Sequence, residues 1–226
     1  MTRTRIKLCG MTSPADALAA AEAGADEIGI ILHASARRRV DIATARLVVD
    51  ALPSAVAPVG VFVDAPAEVV LRMAAELGLK KVQFHGHETP ADVAAVAPLE
   101  VVKAVKMFHA SAEADLALWA KACAAGECPN LVGILLEAPT VESGGTGVVN
   151  DFPFVEKLQR SGTFAKLPPI VVSGGLSPDN VAAVVRLLRP SAVDVSSGIE
   201  STYGRKSREK MNDFVASVRA ADDLLR

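Results

Sequence analysis

The chain has 226 residues, half of them apolar and 4% aromatic, and its formal net charge at pH 7 is −2. This length exceeds the common domain size but lies within the range of a single-domain α/β barrel. The small net charge provides no broad basic field for nucleic acid, and the few aromatic side chains provide no surface for base stacking. We therefore expect one large core and no nucleic-acid partner.

The sequence shows no pattern for membrane insertion or export. No uncharged apolar run is long enough to span a bilayer, and the basic N-terminal residues lead into only a short apolar stretch. Three cysteines, Cys9, Cys123 and Cys128, are too few and too unevenly spaced for a disulfide framework and are typical of free thiols. We expect a cytoplasmic monomer or homodimer that does not associate with membranes.

Short β-rich apolar runs recur along the whole chain and alternate with Ala- and Leu-rich segments of helical spacing. The predicted strands are Ile6–Cys9, Glu27–Leu32, Val59–Val63, Val82–His85, Val101–Lys106, Leu131–Glu137, Ile170–Ser173 and Ala192–Ser196. The clearest helical segments are Ala15–Ala23, Ala67–Leu77, Ala112–Ala125 and Val181–Leu188. The alternation predicts parallel strands with crossover helices, and eight units favour a closed (β/α)8 TIM barrel over an open doubly wound sheet.

Two βα units resemble each other, Cys9–Asp16 and Ser173–Asn180. In each, a Ser-Pro pair (Ser13-Pro14 and Ser177-Pro178) is expected to cap a helix and occupy its first turn. No linker or change of composition divides the chain. The long Gly-rich connection Leu136–Asp151 is therefore a candidate active-site loop rather than a domain boundary.

In barrels of this type the reacting groups lie at the C-terminal ends of the strands and in the loops that follow them. Gly174 and Gly175 follow the seventh strand, and Ser196, Ser197 and Gly198 follow the eighth. Exposed backbone N–H groups in two adjacent loops can bind a phosphate dianion. The sequence predicts a phosphate site there and a small phosphorylated substrate.

Two residues at strand ends could move protons. Cys9 ends the first strand, where it is either a small buried core residue or a thiolate base whose pKa is lowered by nearby positive charge. Glu137 ends the sixth strand and is either a loop residue or a proton donor facing Cys9 across the barrel mouth.

Further polar residues point to the same end of the barrel. Asp194, in the apolar eighth strand, is expected to bind hydroxyl groups or orient a neighbour. Arg37, Arg38 and Arg39 follow the second strand, where they are either a solvated charge run or supply one arginine that forms a forked pair with a substrate carboxylate. His85 and His87 form a pair that could bind metal, but no further ligands cluster with them, and His85 is expected to hydrogen-bond at the barrel mouth instead. No metal site is predicted.

Together these motifs resemble the phosphoribosylanthranilate isomerase family of tryptophan biosynthesis, from Lys7 to about Phe214. The motifs that carry the resemblance are Lys7–Gly10, Val59–Val63, Val82–Gly86, Gly144–Gly147, Ser173–Val181 and Val193–Glu200. The resemblance implies a cofactor-free isomerase, a TIM barrel, and an Amadori rearrangement of N-(5-phosphoribosyl)anthranilate to 1-(2-carboxyphenylamino)-1-deoxyribulose 5-phosphate.

Carried onto matching positions, the resemblance assigns the general base to Cys9 and the anthranilate-binding arginine to Arg38, with Arg37 as the second choice. Asp194 matches an aspartate that contacts a sugar hydroxyl, and the two glycine-containing loops match the phosphate site. Glu137 stands where the family has an aspartate as general acid. The family's Phe-Asp-Trp reads Asn150–Phe152 here, and its Lys-Asp reads Lys206-Ser207.

Two alternatives follow from the same observations. One is another phosphosugar barrel enzyme, such as the aminoaldose isomerase of the histidine pathway, although such enzymes typically use paired aspartates and this first strand ends in Cys9. The other is a catalytically retired barrel that only binds a phosphorylated ligand, which the change at Glu137 favours.

Overall fold

The computed structural model describes residues 3–140 and 148–225. Its eight parallel strands pair in chain order, and the eighth pairs with the first to close the barrel. The barrel strands are β1 (Arg5–Cys9), β2 (Glu27–His33), β3 (Ala57–Phe62), β4 (Lys81–Phe84), β5 (Glu100–Lys106), β6 (Leu131–Glu137), β7 (Ile170–Val172) and β8 (Ala192–Val195). The predicted TIM barrel is confirmed.

Helices cover the outside of the barrel and connect its strands. They are α1 (Pro14–Ala23), α2 (Ile42–Asp50), α3 (Ala67–Leu77), α4 (Pro90–Ala95), α5 (Ala112–Ala125), α6 (Phe152–Arg160), α7 (Val181–Leu188) and α8 (Arg208–Asp223). None of the helices in the described part of the chain is long and apolar enough to cross a membrane.

Strand β1 shows how the sequence directs side chains to two environments. Successive side chains of a strand point to opposite faces. Ile6 and Leu8 are fully buried in the large core between strands and helices. Lys7 and Cys9, which alternate with them, therefore point into the barrel. The strand thus brings a cation and a thiol to the interior, one above the other.

The opposite, N-terminal end of the barrel contains ion pairs. Glu27 Oε1 accepts from Arg5 Nη2 at 3.0 Å and from Lys81 Nζ at 2.8 Å. Burial acts to raise the pKa of Glu27, but the two cations outweigh it and the pKa is lowered. Above this layer, Val102, Ala104 and Leu135 form a small separate apolar cluster. The charges at this end therefore compensate one another. The barrel is open at its opposite, C-terminal end.

One of the two predicted helix starts is confirmed and the other is wrong. Ser13 caps α1 by accepting from the Asp16 N–H, and Pro14 is the first helical residue. In contrast, α7 begins only at Val181. Ser177 does not cap it and lies in a preceding turn, in which its N–H donates to Asn180 Oδ1 at 2.8 Å.

A short antiparallel ribbon between β8 and α8 was not predicted. It follows a 3-10 turn (Ser197–Ile199) and consists of β9 (Glu200–Thr202) and β10 (Arg205–Lys206). Gly204 has φ +80° in its turn, a conformation that favours glycine. The ribbon carries Glu200 and Lys206 to the mouth of the barrel.

Candidate active site

A cavity with an empty volume of about 790 Å3, including its opening to solvent, lies at the C-terminal ends of the strands. Most of the sequence-predicted site residues line it together: Cys9, Arg38, His85, Glu137, Gly174, Gly175, Asp194, Ser196 and Ser197. Of the residues that the structure describes, Arg37 and Gly198 are the two predicted ones outside its wall. The predicted Gly144–Gly147 motif lies outside the described residues.

Cys9 lies in a tight, charged environment. A Cβ atom at Gly29 would be 2.4 Å from the Cys9 sulfur, so the glycine on β2 leaves the space that the thiol occupies. Lys7 donates a hydrogen bond to Asp194 Oδ1 at 2.8 Å, and its charge also acts on Cys9. Burial raises the pKa of the Cys9 thiol, and the charges of Lys7 and Lys206 act against that rise. A thiolate formed here would have cationic partners.

Lys7 stays charged although it is buried. Burial by itself lowers the pKa of an ammonium group, but Asp194 and Cys9 together more than compensate, and the pKa of Lys7 is raised. Lys7 and Asp194 are direct register partners on β1 and β8. Their ion pair therefore joins the first and last strands beneath the thiol.

The environment of Glu137 favours its neutral form, whereas that of Lys7 favours the charged form. Burial, followed by the nearby Asp194 carboxylate, raises its pKa to about 7. The Ser173 hydroxyl donates to Glu137 Oε2 at 3.3 Å and, with the charges of Lys7 and Lys106, limits the rise. A carboxyl group with this pKa is partly protonated at neutral pH and can donate a proton there.

His85 lies beside Glu137 as a neutral imidazole. Its Nδ1 is 2.8 Å from Gln83 Nε2, which can only donate, so Nε2 carries the ring proton. Nε2 lies 3.4 Å from Glu137 Oε2, without the alignment of a hydrogen bond. Burial and the charges of nearby lysines lower the pKa of His85 to about 3. The ring therefore presents a fixed N–H to the cavity.

The two candidate arginines occupy different environments. Arg38 is buried in the cavity wall and forms a forked ion pair with Glu200, with Nε to Oε1 at 2.6 Å and Nη2 to Oε2 at 2.8 Å. Arg37 is exposed and lies over the ring of Tyr203, 5.4 Å from its centroid. The geometry favours Arg38 as the arginine that faces the cavity.

Lys206 connects the ribbon to the loop after β8. Its Nζ is fully buried and contacts Glu200 Oε1 at 3.1 Å and the Ser196 carbonyl at 2.9 Å. A Cβ atom at Gly10, which has φ +79°, would be 2.9 Å from Arg38 Cδ and 3.0 Å from Ser196 Oγ. Gly10 is thus required both for its backbone conformation and for the close packing of these side chains.

The glycines of the two predicted phosphate loops hold the loops close together. Gly174 and Gly175 have φ of +87° and +68°, and a Cβ atom would meet the Ala138 nitrogen at 2.7 Å or the Val149 Cα at 2.5 Å. At Gly198 a Cβ atom would lie 1.9 Å from the Leu176 carbonyl oxygen. Gly198 thus packs one loop against the other, while Gly174 and Gly175 line the cavity.

Sequence reasoning did not assign roles to Lys7, Gln83, Glu200 or Lys206. Lys7 and Gln83 are polar residues inside otherwise apolar strands, a signal that was available, since such groups are rarely buried without a partner. Glu200 and Lys206 had no such signal because their ribbon is short and polar. No group of three or more metal-ligating side chains occurs within residues 3–140 and 148–225.

Comparison with known proteins points in one direction. The family model described as N-(5'phosphoribosyl)anthranilate (PRA) isomerase matches residues 6–217. An N-(5'-phosphoribosyl)anthranilate isomerase from Halorhodospira halophila is 41% identical over 223 residues, which cover 98% of this chain and 99% of that protein.

Solved structures agree with the sequence matches. The phosphoribosyl anthranilate isomerase of Thermotoga maritima superposes with a TM-score of 0.83 and 32% identity, over 96% of this chain and 99% of that one. A phosphoribosyl anthranilate isomerase in complex with reduced 1-(o-carboxyphenylamino)-1-deoxyribulose 5-phosphate superposes with a TM-score of 0.80 and 30% identity, over the same shares.

The raised pKa of Glu137 predicts how Glu137→Gln changes stability with pH. The folded pKa of about 7 lies above the unfolded value, so the contribution of the protonated carboxyl is complete at low pH and is lost as pH rises through 7. Between about pH 5 and about pH 8 the free energy of unfolding of Glu137→Gln should gain about 2 kcal/mol relative to the parent.

Urea unfolding at the two pH values measures this change. Glu127→Gln, at an exposed position beyond α5, is the control and should show a constant difference from the parent. A constant difference for Glu137→Gln as well would mean that Glu137 titrates in its ordinary range.

Proposed function

The chain belongs to the N-(5'-phosphoribosyl)anthranilate isomerase family, and we propose that it catalyses the Amadori rearrangement of N-(5'-phosphoribosyl)anthranilate with Glu137 as general acid and Cys9 as general base. The chain is thus an isomerase of tryptophan biosynthesis. The observation that carries the proposed mechanism is that the ends of β1 and β6 bring Cys9 and Glu137 to one cavity, each with a partner that favours its role.

The proposed substrate orientation follows from the charges around the cavity. The phosphate binds at the loops after β7 and β8, where Gly174, Gly175, Ser196 and Ser197 line the wall. The anthranilate carboxylate binds Arg38, and the sugar hydroxyls face Asp194. Gly198 acts by keeping the two phosphate loops in contact. Arg37, which is exposed, has no part in this orientation.

The first step is opening of the furanose ring. Protonated Glu137 gives its proton to the ring oxygen, and the bond from that oxygen to C1 breaks. The nitrogen lone pair of the anthranilate forms a double bond to C1, giving a protonated Schiff base. His85 supports this step, since its Nε2–H lies 3.4 Å from Oε2 of the carboxylate that Glu137 becomes.

The second step is proton removal from C2. The Cys9 thiolate takes the C2 proton, and the electrons of that bond form a C1–C2 double bond as the nitrogen regains its lone pair. The resulting enolamine becomes the ketone when its hydroxyl proton is lost and C1 is protonated. Lys7 supports this step because it remains a cation and its charge favours the Cys9 thiolate.

The proposal includes the setting in which the enzyme works. We propose that the chain acts as a single domain in the cytoplasm, as a monomer or homodimer, and that its side chains carry the reaction without a cofactor. An activity assay distinguishes the proposed isomerase from the two alternatives, the aminoaldose isomerase of the histidine pathway and the catalytically retired barrel.

The activity test uses the fluorescence of anthranilate compounds. Freshly prepared phosphoribosylanthranilate mixed with the pure protein should lose its fluorescence by enzymatic turnover, and Cys9→Ala should reduce kcat by about 100- to 10,000-fold because general base catalysis contributes that much. Cys123→Ala and Cys128→Ala serve as controls and should keep the parental kcat.

Two outcomes would contradict the proposal. A parent protein without this activity would favour one of the two alternatives, which are the catalytically retired barrel and the aminoaldose isomerase of the histidine pathway. A Cys9→Ala variant within a few-fold of the parental kcat would remove the thiolate from the mechanism.

Two substitutions of Glu137 separate the contribution of its acidic proton to turnover from that of its side-chain length. Glu137→Gln keeps the shape but has no acidic proton, so kcat should fall by roughly 100-fold or more. Glu137→Asp keeps the proton with a shorter reach and should lose less. Steady-state kinetics of both variants measures the difference, and near-parental turnover by the Gln variant would exclude Glu137 as the acid.

A further inference from the structure

The Arg38 guanidinium is held from two directions by the β9–β10 ribbon. Glu200 contacts its Nε and Nη2 at 2.6 and 2.8 Å. The ring of Tyr203 lies against its face, with the centroid 4.4 Å from Cζ. The Glu200 carboxylate fixes the orientation of the guanidinium within its own plane, and the Tyr203 ring fixes the orientation of that plane.

The Glu200 contact uses only one edge of the guanidinium. A guanidinium carries five N–H groups in a planar fork, and the edge formed by Nε and one Nη is distinct from the edge formed by the two Nη atoms. Within the described residues, no hydrogen bond to Arg38 Nη1 is present. The Nη1–Nη2 edge is therefore available for a second forked carboxylate contact while the first one stays in place.

The charges around Arg38 leave it attractive to an anion. Glu200 is ionised, because its hydrogen bonds to Arg38 and the charge of Lys206 outweigh its burial and lower its pKa to about 2. Lys206 supplies a second cation 3.1 Å from the same carboxylate. Two cations and one carboxylate leave net positive charge at the cavity wall, so Glu200 does not cancel the attraction.

Glu200 is itself held in position. It accepts from the Gly204 backbone N–H at 3.1 Å, in the turn of the same ribbon, as well as from Lys206. Its side chain is 5% exposed and that of Arg38 is 3% exposed. Both partners of the forked pair are thus fixed before any ligand enters.

We propose that Glu200 and Tyr203 are positioning residues that orient Arg38 so that its Nη1–Nη2 edge recognises the carboxylate of the aromatic substrate. This inference rests on the proposed function, in which Arg38 binds that carboxylate. A pre-oriented arginine loses less conformational freedom on binding, so the ribbon increases the preference for a carboxylate-bearing ligand over the same ligand without the carboxylate.

The test compares two ligands rather than one activity. The first is reduced 1-(o-carboxyphenylamino)-1-deoxyribulose 5-phosphate, and the second is the matching phenylamino compound, which lacks only the carboxylate. The ratio of their Kd values, from calorimetry, isolates the carboxylate contact. In the parent it should be about 10- to 100-fold, as for charge-assisted hydrogen bonds.

The variants should change this ratio in a fixed order. Arg38→Ala should abolish it, and Glu200→Gln should reduce it about five- to tenfold while leaving the Kd of the phenylamino compound within about twofold. Tyr203→Ala, at an exposed position, should reduce it less. Glu22→Gln, which breaks an exposed Glu–Arg pair, is the matched control and should leave it unchanged.

Unchanged or increased ratios in both Glu200→Gln and Tyr203→Ala would overturn the inference, and an increase would show that Glu200 competes with the ligand. If the ratio survives Arg38→Ala, then the assignment of Arg38 in the proposed function has failed, and the inference fails with it. If Glu200→Gln no longer binds the phenylamino compound, its fold is damaged. The ratio of Kd values in Tyr203→Ala then decides whether the inference holds.

Discussion

The ion pair between Lys7 and Asp194 is the interaction on which the rest of the site depends. It joins β1 to β8, the two strands that close the barrel, and both side chains are buried. Removing one member of a buried pair typically costs about 3–5 kcal/mol, because the other charge is left uncompensated. The Lys7 and Asp194 side chains therefore link the two strands that close the barrel and also place two charges beside the cavity.

The Lys7–Asp194 pair acts on both Cys9 and Glu137. Burial is the largest influence on the pKa of each group. Beside it, the charge of Lys7 acts to lower both pKa values and the charge of Asp194 acts to raise both. A cation and an anion 2.8 Å apart thus act in opposite directions on the two groups to which the proposed mechanism assigns the base and the acid. Burial and Asp194 together keep the pKa of Glu137 raised, to about 7.

The sequence was sufficient for the barrel because each strand is an apolar run long enough to recognise and each is followed by a helix. It was sufficient for the positions of Cys9 and Glu137, since strand ends define the mouth of a barrel. It was misleading at Ser177, where the local Ser-Pro signal was the same as at Ser13. There the Asn180 side chain bonds the Ser177 N–H and the Gly175 carbonyl, and the turn they form delays the helix.

The β9–β10 ribbon could not be predicted from periodicity. Glu200–Thr202 and Arg205–Lys206 are too short and too polar for a strand pattern, and buried ion pairs hold them instead. One of these pairs, Arg38 and Glu200, joins residues far apart in sequence. Only the folded chain shows that the segment after β8 reaches back to the loop after β2.

In the proposed mechanism protonated Glu137 and ionised Cys9 act together, although the pKa of the acid lies below that of the base. The most direct measurement is the pH dependence of kcat/KM for the parent and for Glu137→Gln. With the pKa of Glu137 at about 7, the parental curve should rise with pH, level off near pH 7 and fall only when the higher pKa of Cys9 is passed. In Glu137→Gln the weaker activity should keep rising through pH 7. A parental curve without a break near pH 7, or a break that persists in Glu137→Gln, would contradict the account.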